Sequence, residues 1–139
     1  MKRTVARIKA MMLLVMTDIR KDIYSIDELN NILSVDNELT EFESNDIFCI
    51  KIYKGVLKNI KIIDNIINIS MENWTLDRLS SVDRALIRIA TYEMKYTNTD
   101  KSIIINEILN ITKEYSNIDD KQTKFNNGVL DKIGRFIYE

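Results

Sequence analysis

A chain of 139 residues with no proline and only three glycines has few ways to interrupt a helix. Proline removes a backbone donor, and glycine supplies the unusual dihedrals of tight turns. Sheets and many-turn folds need both repeatedly. Isoleucine is abundant and by propensity favours strands, but the order of the apolar residues is the stronger signal. That order steps by three and four.

In the first segment Val5, Ile8, Met12, Val15 or Met16, and Ile19 form a stripe, predicting an amphipathic helix with that stripe inward and Arg3 and Arg7 on the solvated face. A short helix is expected around Ile26 to Leu33, followed by an acidic, polar connection through Ser34, Asp36, Asn37, Ser44 and Asn45. From Ile47 to Ile69 one long helix is predicted. Ile50, Tyr53, Val56 or Leu57, Ile60, Ile63 and Ile67 point inward, and Lys51, Lys54, Lys58 and Lys61 make its wet side. Gly55 inside it disfavours the helix by up to ~1 kcal/mol, which a close helix crossing would offset.

Trp74 to Leu79 reads as a short turn or helix, and Ser80 with Asp83 has the spacing of a capping box that opens the next helix. Val82, Leu86, Ile89 and Glu93 or Met94 mark its period, and Asn98-Thr99-Asp100 ends it. A further helix carries Ile104, Ile108, Ile111 and Tyr115, and the last carries Phe125, Val129, Ile133 and Phe136 or Ile137. Asn127-Gly128 would suit a hairpin, but helical spacing on both sides places Gly128 inside the helix. The expectation is an all-α fold of about seven helices with antiparallel neighbours, forming a single domain over residues 1–139.

Composition removes several chemistries. One cysteine, Cys49, and no histidine leave none of the usual transition-metal ligand sets, so no metal is expected. Gly55, Gly128 and Gly134 are too scattered for a phosphate-cradling loop, so no nucleotide cofactor is expected. With no histidine base, and with Glu72, Asp77, Asp119 and Asp120 read as solvated carboxylates, no catalysis is assigned. The apolar stretch Ala10 to Met16 is too short to span a bilayer, and no small-residue cleavage site follows it. The expectation is a cytoplasmic protein without membrane contact.

Net charge is −1, but it is unevenly spread. Residues 1–21 carry six basic groups against Asp18, and residues 22–50 carry eight acidic groups and no basic one. A localised anion-binding face is therefore expected at the start of the chain. Lys2, Arg3, Arg7 and Lys9 fit contacts to RNA phosphates, although spacing alone favours a merely solvated helix start. Phe125 has core spacing, but beside Lys121 and Lys124 it has a second reading as a platform on which an unpaired base stacks. Asp83 serves the helix N-terminus and, if exposed there, would also meet a basic partner.

Three stretches, in order, carry a resemblance that spans the chain. They are the run Trp74-Thr75-Leu76-Asp77-Arg78-Leu79-Ser80-Ser81-Val82-Asp83-Arg84-Ala85-Leu86-Ile87-Arg88-Ile89-Ala90-Thr91-Tyr92-Glu93-Met94, then Ile105-Asn106-Glu107, then Lys124-Phe125-Asn126-Asn127-Gly128-Val129-Leu130-Asp131-Lys132. Together they resemble the NusB family of transcription antitermination factors.

The resemblance implies two packed helical subdomains. It further implies binding of the boxA element of ribosomal RNA leader transcripts, as single-stranded RNA, together with NusE, a small-subunit ribosomal protein, and entry into a complex with RNA polymerase and other Nus factors. The family's RNA positions fall on Lys2, Arg3, Arg7, Asp77 and Phe125, with Lys121 and Lys124 beside the last. Its partner positions fall on Val15, Ile19 and Asp83. A homodimer of the free chain is a second state consistent with the resemblance.

Departures cluster in the first helix. Thr4 stands where a basic residue is common, Ile8 where an acid is usual, Met12 where glutamine is usual and Val15 where an aromatic is usual. Fewer phosphate contacts predict weaker RNA binding with a shallower salt dependence. Lys101 and Asn126 replace a common proline and a common valine without consequence for the fold. Two other classes compete with an RNA-binding antitermination factor. One is an adaptor that binds NusE or another partner with little RNA specificity. The other, ranked lowest, is the helical front of an RNA methyltransferase, for which no glycine-rich cofactor domain follows.

Overall fold

The computed structural model describes residues 2–34, 42–71, 75–116 and 120–138. Among them are seven α-helices, one 3-10 turn and no strand: α1 (Lys2–Arg20), α2 (Ile26–Ser34), α3 (Phe42–Lys58), α4 (Ile60–Ser70), the 3-10 turn (Leu76–Arg78), α5 (Ser81–Tyr96), α6 (Lys101–Tyr115) and α7 (Asp120–Tyr138). Helix α1 packs on α3, and α7 packs on both α4 and α6. Helix α5 touches α1, α3, α4, α6 and α7. It is buried over Ala85–Ile87 and Ile89–Met94, nearly all round, as befits a helix enclosed by neighbours.

The local signals that start and stop helices are borne out. Ser80 Oγ accepts the Asp83 backbone N–H at 3.1 Å, capping α5. Asn98, Thr99 and Asp100 separate α5 from α6, and Gly128 lies inside α7. Trp74 lies outside the described residues, as do Asp36 and Asn37 of the expected acidic connection. Ser44 and Asn45 belong to α3, not to that connection.

The long helix predicted from Ile47 to Ile69 is two. At Asn59 the backbone leaves helical dihedrals (φ −110, ψ 21), and the Asn59 side-chain amide donates to the Gly55 carbonyl at 2.8 Å. The same carbonyl also accepts the Asn59 backbone N–H at 3.2 Å, so the helix ends on a doubly bonded turn although the apolar spacing runs straight through it.

The orientation of α1 also differs from expectation. Its buried residues are Ala6, Arg7, Ala10, Met11, Leu13, Leu14 and Thr17. Of the stripe predicted inward, Val5, Met12, Met16 and Ile19 are exposed, Ile19 by 75%, while Ile8 and Val15 are partly buried against the core. Two alanines let α1 lie close on its neighbours. The one charged residue on that inner face finds a partner far along the chain.

Helix α1 ends in a left-handed residue, Lys21 (φ 60), whose N–H returns to the Thr17 carbonyl at 2.7 Å. The turn lets Arg20 reach the Ile23 carbonyl at 2.9 Å and the Glu28 carboxylate at 2.5 Å, its guanidinium lying 3.8 Å from the Tyr24 ring centre. The Arg20 bond, and behind it the Ser25 backbone N–H, hold the Glu28 carboxyl at about 2 against an ordinary 4.5. A depressed carboxylate stabilises the fold above its unfolded pKa and stops doing so as pH falls through its folded one. An NMR titration should therefore place Glu28 near 2, and Arg20→Gln should return it towards 4.5.

Gly55 marks the expected close crossing. A Cβ there would lie 2.2 Å from the Tyr92 ring, so α3 meets α5 across bare backbone. Gly55→Ala should cost about 1–2 kcal/mol in urea unfolding, the overpacking outweighing the gain in helix propensity. The loss should shrink in a Tyr92→Leu background.

Candidate nucleic-acid interface

Near the start of α7, Lys121 and Lys124 are exposed and Phe125 is half-buried against the core. Val129 and Ile133 on the buried side of α7 set the helix's rotation. That rotation leaves Phe125 at the rim of a shallow cavity of about 190 Å³, together with Lys124, Gly128, Lys132 and, from the end of α4, Ser70 and Met71. Here an aromatic edge, cations and an opening coincide, which is what holding an unstacked base requires.

A second, wider groove of about 770 Å³ lies between α1 and α6, lined by Arg3, Arg7, Thr99, Ile103, Asn106, Glu107 and Asn110. The fold thus brings the Asn106-Glu107 stretch against the basic start of the chain. Arg3 is exposed, its guanidinium 4.4 Å from the Phe48 ring centre. Lys2 begins α1.

Arg7 corrects the expectation of a solvated phosphate contact. It is 2% exposed, and its guanidinium forks onto Glu93 of α5 with two bonds of 2.7 Å, reaching Glu107 of α6 at 3.3 Å. The Thr4 hydroxyl donates to the same Glu107 oxygen. Burial by itself would lower the Arg7 pKa. The hydrogen bond and charge of Glu93, with Glu107 behind it, reverse this and raise it. Arg7 is a tie between α1, α5 and α6.

Asp83 is corrected in the same way, since it is 1% exposed and not open to a partner. Its carboxylate accepts from the Ser116 hydroxyl at 2.7 Å, the buried Asn126 amide at 3.0 Å and the Ser80 hydroxyl at 2.9 Å. Asp77 is exposed on the 3-10 turn, beside a depression of about 410 Å³ shared with Asp64, Asn68, Thr75, Leu76 and Arg88. Val15 packs partly on the core, and Ile19 projects into solvent near the exposed Met12 and Met16 of its own helix.

Sequence reasoning missed the partners that hold these groups. Glu93 was read only as a position in a helical period, and Asn126 as a harmless replacement, yet each completes a buried polar set. Their legible signal was a polar residue at an inward helical position, which needs a partner when buried. Among the described residues no cluster of His, Cys, Asp or Glu could hold a metal, and no helix is long and apolar enough to cross a membrane.

The fold and its surfaces define a small all-helical protein with a basic, aromatic-edged face. The NusB family profile matches residues 4–135. A transcription antitermination protein NusB of Bacillus cereus (strain ATCC 10987 / NRS 248) is 37% identical over 134 residues, 96% of this chain and 97% of the relative. NusB of T. maritima superposes with a TM-score of 0.81 at 29% identity, covering 96% of this chain and 90% of that one. A chain in a crystal structure of antitermination factors NusB and NusE in complex with dsRNA superposes with a TM-score of 0.81 at 24% identity, covering 97% of each chain and supporting the fold alone. The chain belongs to the NusB family of transcription antitermination factors.

Because Glu93 is fully buried, removing its partner leaves a charge without compensation. Arg7→Met should cost about 3–5 kcal/mol in urea unfolding. The double variant Arg7→Met/Glu93→Leu should recover much of that, and a double-mutant cycle measures the coupling.

Proposed function

We propose that this chain binds the boxA element of ribosomal RNA leader transcripts, as single-stranded RNA, together with NusE, and that the pair joins RNA polymerase and other Nus factors to suppress premature termination. The observation that carries the reading is the α7 face, where Phe125 edges an open cavity beside the exposed Lys121 and Lys124. An aromatic edge takes the face of an unstacked base, which favours unpaired RNA over a duplex. Arg3 and Lys2 on α1, and Asp77 on its exposed turn, are secondary candidates. Arg7 contributes by holding the start of α1 in place.

The NusE contact is proposed for the outer face of α1. Met12, Met16 and Ile19 expose apolar surface there beside the half-buried Val15, and contiguous exposed apolar patches mark interaction sites. Asp83 supports this contact from within, by fixing the start of α5. The same patch favours the second reading, a protein-only adaptor with little RNA specificity, since the first helix has turned one of its arginines inward.

Labelled boxA RNA and a scrambled control, titrated with and without NusE across a salt series, separate the two. Phe125→Ala should weaken boxA binding about ten- to hundredfold, the worth of one stacked base. Lys121→Gln and Lys124→Gln should each flatten the salt dependence by about 0.7 in log–log slope. NusE binding with no preference for boxA selects the adaptor.

A further inference from the structure

Two of the three glycines have a close neighbour. A Cβ at Gly55 would strike the Tyr92 ring, and one at Gly134 would come within 2.7 Å of the Lys101 side chain. Gly128 has no such neighbour among the described residues. It sits in the middle of α7 without a positive φ, it is exposed, and a Cβ there would meet nothing within 4 Å among the described residues. Glycine is among the worst residues for a helix interior, and among the described residues neither backbone conformation nor packing requires it. A bare helix surface beside a cavity admits the close approach of another molecule.

The surroundings indicate what approaches. Gly128 lines the same cavity as Phe125, with Lys124 one turn before it and Lys132 one turn after. Lys121, Lys124, Gly128, Lys132 and Arg135 step by three or four residues, so they share one face of α7, and all five are exposed. Lys124 and Lys132 stand about 12 Å apart along the helix axis, and among the described residues no ion pair engages either. A cavity of about 190 Å³ is smaller than a drug-sized ligand needs, so it suits one planar group. Two flanking ammonium groups suit the phosphates on either side of that group.

We propose that Gly128 is a nucleotide contact: the nucleotide whose base meets Phe125 lies with its ribose against the uncovered α7 backbone, and Lys124 and Lys132 hold its flanking phosphates. The site thereby extends past Phe125 to Lys132. This inference deepens the RNA-binding reading above and rests on it.

The test uses the opposite signs that a fold role and a contact role predict. Gly128→Ala, Lys132→Gln and Phe125→Ala are compared with the unsubstituted chain in thermal unfolding and in binding of boxA RNA and a scrambled unpaired RNA. Gly128→Ala should raise the Tm by about 3–6 °C and weaken RNA binding about tenfold, a loss that misfolding cannot explain. Lys132→Gln should flatten the salt dependence by about 0.7 in log–log slope.

A higher Tm with RNA affinity unchanged overturns the proposal, and so does a lower Tm, which would give the glycine a role in folding. If the unsubstituted chain prefers boxA and Gly128→Ala leaves affinity intact, the contact fails and the boxA reading stands. If both RNAs bind equally and Gly128→Ala weakens both, the boxA reading fails and the contact stands. Binding of neither RNA overturns both.

Discussion

Helix α5 is enclosed by five others, so every charged group it turns inward must find its partner on one of them or stay uncompensated at a cost of several kcal/mol. Glu93 takes Arg7 from α1. Asp83 takes Ser116 after α6 and Asn126 from α7. Arg88 forks onto Asp64 of α4 with two bonds of 2.9 Å, and Arg84 reaches Asp18 of α1 at 3.3 Å. Apolar contacts tolerate small slips of one helix on another, but a forked guanidinium–carboxylate pair does not. These ties set the registers around α5, and the bare backbone at Gly55 sets how near α3 can come.

That arrangement divides the charged residues into two populations. Arg7 and Asp83, both plausible contacts by type and position, are consumed in holding the helices together. Lys121, Lys124 and Lys132 remain at the surface beside Phe125 and an opening. The proposed RNA site therefore centres on α7 more than on the basic first helix. The Asp83–Asn126 bond ties that same helix to the start of α5, so the α7 face is presented by a rigid part of the fold.

Helix α1 reverses the usual arrangement, with an arginine inside and Met12, Met16 and Ile19 outside. Neither half of the reversal makes sense for the helix alone. The arginine is tolerated inside because Glu93 and Glu107 meet it there. The outward apolar residues have the character of a surface awaiting a partner, in keeping with the proposed place of NusE.

The helices and most of their ends were legible because their causes are local. Three- and four-residue spacing, the Ser80–Asp83 cap and the polar break at Asn98–Asp100 each act within a turn or two of chain. The close crossing at Gly55 was legible too, since a helix-disfavouring residue amid strong helix signals asks for a packing reason. The break at Asn59 is local too, yet periodicity does not show it, because periodicity records which residues are apolar and not where the backbone leaves helical dihedrals. The inner face of α1 was another matter. Its apolar residues offer more than one stripe, and the choice falls to a glutamate 86 positions away that an arginine can reach. Likewise, Asp83 is hidden by an asparagine 43 positions on. Local periodicity determined that these helices form. Which of their charges face water was decided only when helices distant in sequence met, because the cost of burying a charge depends on what stands opposite it.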